Sequence, residues 1–254
     1  FFCASASAGA QAATMANRTD PLARSVHGTN PQNMVEKIVR SRIYACTYWK
    51  EHCFGLTAES IVDKAMDLDY FAGTYGGFRK PSKFLCLVLK CLQIQPDKEI
   101  IIEFIKNEDY KYVRVLGAFY LRLVGRALDI YQYLEPLLND YRKIRERGLD
   151  GKFRITHVDE IVWDLLTKDT LCDVALPHLV KRTTLEDQQM LQERISVLED
   201  DLDEELLSDT EEPQHTKAVR DREPPPPGPS QAAATLREAH RDSRDYDRDH
   251  DRGR

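Results

Sequence analysis

Residues 103–141 read EFIKNEDYKYVRVLGAFYLRLVGRALDIYQYLEPLLNDY, and their apolar positions follow the period of an α-helix. The side chains that recur at steps of three and four are Val113, Leu116, Phe119, Tyr120, Leu123 and Val124. This spacing places them on one stripe of a helix, which predicts burial against other helices. Gly117 interrupts the stripe and costs about 1 kcal/mol relative to alanine, so we expect it to let a neighbouring helix approach closely.

Helical patterns continue on both sides of this stretch. Asn30 can cap a helix that has proline in its first turn. Residues 84–94, FLCLVLKCLQI, are apolar on nearly every side, which predicts a central buried helix. A further helix is predicted from Pro136 to about Arg147, and residues 153–156 form the single candidate strand. The predicted fold class is therefore all-α, a mostly helical single domain with at most one short strand pair.

The distribution of charge divides the chain into parts. Its formal net charge is −6, but residues 186–212 hold 12 acidic residues against one arginine, whereas residues 1–185 carry a net charge of +4. The folded part is thus mildly basic, which permits an acidic or RNA partner without requiring one. The predicted organisation is a disordered N-terminal extension (1–28), a helical domain (29–182), an acidic C-terminal amphipathic helix (183–207) and a disordered tail (208–254).

The acidic segment has one apolar stripe in an otherwise charged background. Its members step by four, three, four and four residues, which indicates an amphipathic helix that could dock on its own domain or on a partner. They are Leu191, Ile195, Leu198, Leu202 and Leu206.

The two ends of the chain have compositions that do not predict packed structure. Residues 224–229, PPPPGP, precede an Arg/Asp-rich end, and such segments bury too little apolar surface to fold. Residues 1–14 precede the first methionine, and we interpret them as upstream translated sequence or a cloning remnant, with a transit peptide as the alternative.

Two clusters contain residue types found in metal or catalytic sites, and neither cluster has the spacing that such sites require. His52 and Cys53, with Cys46 before them, lack the second ligand pair of a zinc site, so packing is favoured. His157 and Glu160 have the three-residue spacing of carboxylate metal sites, but such sites need a second copy and the chain has none. An exposed helix start is the favoured interpretation.

Other features agree with a protein that performs no catalysis. Residues 69–81, DYFAGTYGGFRKP, have three glycines but neither phosphate-binding pattern, so a structural turn is expected. The six cysteines are scattered, several in apolar helical runs, which favours reduced, packed thiols over a disulfide framework. No window reaches the roughly 18 consecutive apolar residues of a membrane span. We predict no enzymatic activity, no cofactor and no membrane partner.

Tyrosine and basic side chains surround the central stripe and suit recognition of a protein, because they bury large areas at low entropic cost. A direct RNA-binding helical module is the alternative, but a net charge of +4 argues against strong binding. The candidate partner-binding residues are Tyr110, Lys111, Arg114, Tyr141, Arg142 and Lys143.

Several of these stretches resemble the pre-mRNA-splicing factor 38 family. The matching runs occur in family order and cover nearly all of residues 15–182. They are HGTNPQ (27–32), YWKEHCFGLTAE (48–59), YGG with KP (75–81), FLCLVLKCLQIQP (84–96), EFIKNEDYKYVRVLGAFYLRL (103–123), YLEPLLNDYRKI (133–144), HVDE (157–160) and LPHLVKR (176–182).

The resemblance implies a helical, non-enzymatic scaffold of the tri-snRNP and the precatalytic spliceosome, required for spliceosome activation in the nucleus. It implies that the partners are other spliceosomal proteins bound through helical segments, that RNA contact is indirect, and that the chain is a monomer within a large complex. Animal members of the family often carry a long Arg-Ser tail, whereas this chain ends in a short Arg/Asp-rich one. Contacts made by an Arg-Ser tail are therefore not implied.

Overall fold

The structure is a computed structural model of the chain, and it describes residues 17–194. Residues 1–16 and 195–254 lie outside the described part. Most of the predicted acidic helix (183–207), the whole predicted disordered tail (208–254) and most of the predicted N-terminal extension (1–28) fall there.

Helices make up most of the regular structure of residues 17–194. The α-helices are α1 (Lys37–Ala45), α2 (Ser60–Met66), α3 (Lys83–Ile94), α4 (Lys98–Lys106), α5 (Lys111–Val124), α6 (Ala127–Leu134), α7 (Val158–Thr167) and α8 (Arg182–Asp187). Short helical turns of other pitch are Pro31–Met34, Trp49–Cys53 and Glu135–Asn139. The strands are β1 (Thr74–Tyr75), β2 (Lys80–Pro81), β3 (Lys143–Arg147), β4 (Phe153–His157), β5 (Thr170–Leu171) and β6 (Val174–Ala175).

Helix α5 lies at the centre of the core, with α2, α3, α4, α6 and α7 packed around it. The predicted stripe on α5 is confirmed, because its members are buried apart from the half-buried Val124. Helix α3 is buried on nearly every side, as its apolar sequence predicts. Phe84 of α3 meets Phe119 of α5 edge to face, with ring centroids 5.6 Å apart.

Gly117 is the point at which α4 comes closest to α5. A Cβ atom on this residue would lie 2.8 Å from the Cβ of Phe104 and 3.1 Å from Cγ1 of Ile105. Real Cβ atoms do not approach other carbons at 2.8 Å, so any larger residue would push the two helices apart. The predicted role of Gly117 in close helix packing is confirmed.

The first predicted helix is present but divided. The Asn30 side chain accepts a hydrogen bond from the Gln32 amide at 3.2 Å, and Pro31 opens a short 3₁₀ turn rather than an α-helix. Val35 is extended, and α1 then begins at Lys37. The cap at Asn30 is therefore confirmed, but it opens a short 3₁₀ turn and not an α-helix.

The prediction of at most one short strand pair is wrong. Within the described residues there are three antiparallel pairs, β1–β2, β3–β4 and β5–β6. The predicted strand at residues 153–156 is confirmed as β4, which pairs with β3 from Lys143↔His157 to Arg147↔Phe153. The predicted helix from Pro136 to Arg147 ends in a short turn at Asn139, because pairing with β4 extends the following backbone.

The first two hairpins are joined by backbone hydrogen bonds. The Phe71 amide donates to the carbonyl of Arg145, and the Arg147 amide donates to the carbonyl of Phe71, both at 2.9 Å. The Gly76 amide, in the β1–β2 turn, donates to the carbonyl of Leu149 in the β3–β4 turn at 2.8 Å. Residues 69–81, expected to be a turn, thus form a hairpin held against a second hairpin.

The cysteines of residues 17–194 are unpaired. Cys46, Cys53, Cys86, Cys91 and Cys172 are free thiols. Burial raises the pKa of Cys53 to about 12, so this group stays a neutral, packed thiol. None of the helices in residues 17–194 combines the length and the apolar character needed to cross a bilayer.

Candidate protein-interaction surface

Two of the predicted binding residues meet at one buried carboxylate. Arg114 Nη1 on α5 donates to Asp140 Oδ2 at 2.7 Å. Arg142 Nη2 donates to the same oxygen at 2.7 Å, and its Nε donates to Asp140 Oδ1 at 2.8 Å. Because the Arg114 side chain is only 11% exposed, this cluster excludes most water and its hydrogen bonds are strong.

The same arginines also bind the turn between α4 and α5. Arg114 Nε donates to the carbonyl of Asn107 at 2.9 Å, and Arg142 Nη1 donates to the carbonyl of Glu108. The Asp140 cluster therefore fixes the α4–α5 turn to the segment that enters β3. Burial by itself would raise the pKa of Asp140, but the hydrogen bonds from Arg142 and Arg114 outweigh it and lower the pKa to about 2.

We expect Asp140→Asn to lower the free energy of unfolding by about 2 kcal/mol at neutral pH, because two arginines lose hydrogen bonds to a charged carboxylate. The folded pKa lies below the ordinary value of 3.8, so Asp140 stabilises the fold above pH 4 and loses that contribution as pH falls from about 4 through about 2. Urea denaturation at pH 7 and pH 3 measures both effects. The exposed Asp63→Asn is the control, and an equal loss in both variants would contradict the assignment.

The remaining predicted residues lie near this cluster. Lys111 Nζ donates to the carbonyl of Lys143 at 2.6 Å, which joins α5 to β3. Tyr110 is exposed and precedes α5, and Tyr141, which lies between Asp140 and Arg142 in the sequence, is 66% exposed. The structure thus brings the six candidates to one end of α5. It also shows that Arg114 and Arg142 hold this surface together, so replacing either one would disturb the surface itself.

Tyr141 also belongs to an apolar groove beside the cluster, formed between β4, α7 and the segment before β3. Ile155 of β4 and Trp163 of α7 line the groove with it, and these two side chains are 68% and 55% exposed. The groove has a volume of about 660 Å³. Exposed aromatic and aliphatic side chains that converge in this way are typical of protein interaction sites.

The rim of the groove is charged and mostly acidic. Asp159, Glu160 and Asp164 of α7 line it with Glu146, Arg154 and Arg194, and Asp164 pairs with Lys168 at 2.6 Å. The His157 imidazole Nδ1 lies 2.9 Å from Glu160 Oε1, and Arg154 pairs with Glu146 Nε to Oε2 at 2.8 Å. Exposed apolar side chains beside more acidic than basic residues fit an amphipathic helix that carries basic residues beside its apolar stripe.

A model of the PRP38 family matches residues 24–189, which is more than half of the chain. The chain belongs to the PRP38 family. That match includes α1 to α8, the Asp140 cluster and almost all of the groove.

Named relatives of this PRP38-family chain share high identity. It is 67% identical over 190 residues to Pre-mRNA-splicing factor 38 of Arabidopsis thaliana, covering 75% of this chain and 54% of the relative. It is 58% identical over 212 residues to Pre-mRNA-splicing factor 38A of Danio rerio, covering 84% of this chain and 68% of the relative. The chain therefore spans about half the length of the Arabidopsis protein.

The fold of this PRP38-family domain also matches a solved structure. A chain in the crystal structure of the Snu23-Prp38-MFAP1(217-258) complex of Chaetomium thermophilum has 41% sequence identity and a TM-score of 0.67. The match covers 75% of this chain and all of that one.

The sequence analysis did not predict the groove of the PRP38-family domain, although the position of one residue indicated an interaction surface. Trp163 stands off the apolar face of α7, where a solvated helix would place a polar side chain. The residues that line the groove with Trp163 could not be predicted, because the sequence predicts a helix for the segment that forms β3 and the turn before it. Among the described residues no group of three or more His, Cys, Asp or Glu side chains is placed to hold a metal ion.

Proposed function

We propose that this domain is a non-enzymatic protein-interaction scaffold of the nuclear pre-mRNA splicing machinery. The observation that carries the proposal is the exposed groove at Tyr141, Ile155 and Trp163 on a fold shared with a chain of the Snu23-Prp38-MFAP1 complex. Its proposed place is the tri-snRNP and the precatalytic spliceosome, where its contacts support spliceosome activation. The domain acts there as one monomer of a larger complex.

The proposed partners are this organism's counterparts of Snu23 and MFAP1. A segment of either protein that forms a helix can place apolar side chains at three- and four-residue steps against the groove. The acidic rim selects segments with Lys or Arg beside that stripe, which also speeds association. Trp163 is the proposed centre of the contact, because exposed aromatic side chains that become desolvated dominate interface energies.

The six residues predicted from sequence contribute in two ways. Tyr141 contacts the partner in the groove, and Tyr110, Lys111 and Lys143 extend the surface towards α5. Arg114 and Arg142 keep these side chains in position through Asp140. The proposed binding unit is the helical domain of residues 29–182, and its function uses no cofactor.

Capture from nuclear extract tests the proposal. The full chain, immobilised and incubated with extract treated or untreated with ribonuclease, is expected to retain splicing proteins in both conditions, because protein contacts hold it in the complex. Mass spectrometry identifies the retained proteins. Recovery of no splicing proteins would overturn the proposal, and recovery abolished by ribonuclease would show that RNA makes the bridge.

A further inference from the structure

A cluster of aromatic rings surrounds one arginine where the first two hairpins meet. The Arg147 guanidinium carbon lies 3.8 Å from the ring centroid of Tyr75, 5.7 Å from that of Tyr70 and 5.1 Å from that of Phe153. The Arg145 guanidinium carbon also lies over the ring of Phe153, 5.3 Å from its centroid. The rings also contact one another, with Tyr70 and Phe153 centroids 5.6 Å apart. This surface alternates cations with π faces, and we refer to these five residues as the aromatic–arginine cluster.

Fully solvated residues extend the cluster along both hairpin turns. Phe78, in the β1–β2 turn, is 98% exposed, which is the largest exposure of any large apolar side chain in residues 17–194. Lys80 of β2 and Lys152, beside β4, are exposed as well. Lys80 is the cross-strand partner of Tyr75, Lys152 precedes Phe153, and the hydrogen bond from Gly76 to Leu149 holds the two turns together.

The cations of this face are free of carboxylate partners. Within residues 17–194, Lys80, Arg145, Arg147 and Lys152 form no salt bridge. Arg145 Nε donates to the carbonyl of Asp69 at 3.2 Å, and Arg147 Nε donates to the carbonyl of Gly151 at 3.0 Å. Their positive charge therefore remains available to an anion.

The nearby carboxylates are already engaged. Asp173 accepts from the amide and hydroxyl of Thr74 at 2.8 and 2.6 Å and pairs with Arg79 at 3.2 Å. Asp69 pairs with Lys83 at 3.6 Å, and Asp150 of the β3–β4 turn accepts a hydrogen bond from the Lys152 amide at 3.1 Å. Asp150 keeps its charge, so one acid stands beside the four cations Lys80, Arg145, Arg147 and Lys152. Positive charge consequently dominates this face although the folded part as a whole carries only a small net charge, and this local concentration is what a phosphate chain responds to.

We propose that this face binds single-stranded RNA. Bases stack on the exposed ring of Phe78 and on the outer faces of the aromatic–arginine cluster, while Lys80, Arg145 and Lys152 pair with phosphates. Stacking rings interleaved with cations that lack acidic partners are the features that single-strand binding surfaces share. A peptide ligand is less well matched, because the cations would require an acidic peptide and the rings would then lack a planar group to stack on.

The RNA face and the proposed protein groove are separate. None of the five cluster residues, nor Phe78, Lys80 or Lys152, lines the groove. The inference therefore stands or falls without the proposed function. It revises the expectation, implied by the family resemblance, that RNA contact is indirect. It also revises the argument from the net charge of +4 against strong RNA binding, because that argument used the summed charge and not its placement.

Fluorescence anisotropy with a labelled single-stranded 12-mer oligouridine tests the inference on the full chain. We expect a Kd of about 10⁻⁴ M or tighter at physiological salt, and weaker binding to a duplex RNA of equal length. Phe78→Ala should raise the Kd at least about five-fold, since stacking of one base is lost. Because Phe78 is almost fully exposed, this variant should keep the parent melting temperature.

A charge-matched pair of double variants measures the phosphate contacts. Lys80→Ala with Lys152→Ala should reduce the slope of log Kd against log salt by about 1.4, at roughly 0.7 per phosphate contact. The control is Lys37→Ala with Lys50→Ala, which removes the same charge from exposed positions on another part of the domain. No binding by the parent chain, equal effects of both double variants, or an unchanged Kd for Phe78→Ala would each overturn the inference.

Discussion

Replacing Phe119 by alanine is expected to lower the free energy of unfolding by about 3 to 5 kcal/mol. Phe119 is fully buried at the centre of α5, and its ring meets the ring of Phe84 edge to face. The substitution removes the transfer energy of the ring and leaves a cavity between α5 and α3, which a close-packed core fills only in part. A loss of this size is a large fraction of the roughly 5 to 15 kcal/mol by which native domains are stable.

Urea denaturation followed by circular dichroism measures this loss. Phe78→Ala is the matched control, because it makes the same chemical change at a side chain that is 98% exposed, and it should alter the free energy of unfolding by no more than about 0.5 kcal/mol. Equal stability of the two variants would mean that the stripe on α5 faces solvent, and the packing described above would be wrong.

Replacing Trp163 by alanine is expected to weaken capture of splicing proteins by about 2 kcal/mol, or roughly thirty-fold in affinity, with little change in stability. The indole is more than half exposed and lies in the groove beside Tyr141 and Ile155. A partner helix would desolvate it completely, and truncation would leave the centre of that contact empty. The folded domain loses little, since Trp163 buries only part of its surface against its own chain.

Quantitative pull-down from nuclear extract, beside a melting curve for each variant, separates the two effects. Phe54→Ala is the control for loss of an exposed aromatic side chain outside the groove, and it should capture partners as well as the parent chain does. If Trp163→Ala stays folded and captures undiminished amounts, the groove is not the binding surface.

Periodicity predicts the core of this domain well. The apolar stripe on α5 predicts that one face of this helix is buried, and the nearly uniform apolar sequence of α3 predicts that the whole helix is buried. Only those orientations remove the apolar side chains from water. Even the close approach at Gly117 follows, since a glycine inside a helix is tolerated where a Cβ atom would not fit.

The hairpins could not be predicted in the same way. Strand β3 has a single buried apolar residue, Ile144, so its sequence lacks the alternation that marks a strand. Its conformation depends on pairing with β4 and on backbone bonds to Phe71, which is more than 70 residues earlier in the chain. The groove and the RNA face both use these hairpins, so neither surface is visible until the tertiary contacts are known.

Calorimetric titration tests the central claim most directly. The full chain is titrated with a synthetic peptide from this organism's counterpart of MFAP1, aligned to residues 217–258 of the protein in the Chaetomium thermophilum complex. We expect saturable one-to-one binding that does not require RNA and that Trp163→Ala weakens roughly thirty-fold. Absence of binding to this peptide and to the Snu23 counterpart, by a chain that melts cooperatively, would contradict the assignment of this domain as a protein-interaction scaffold.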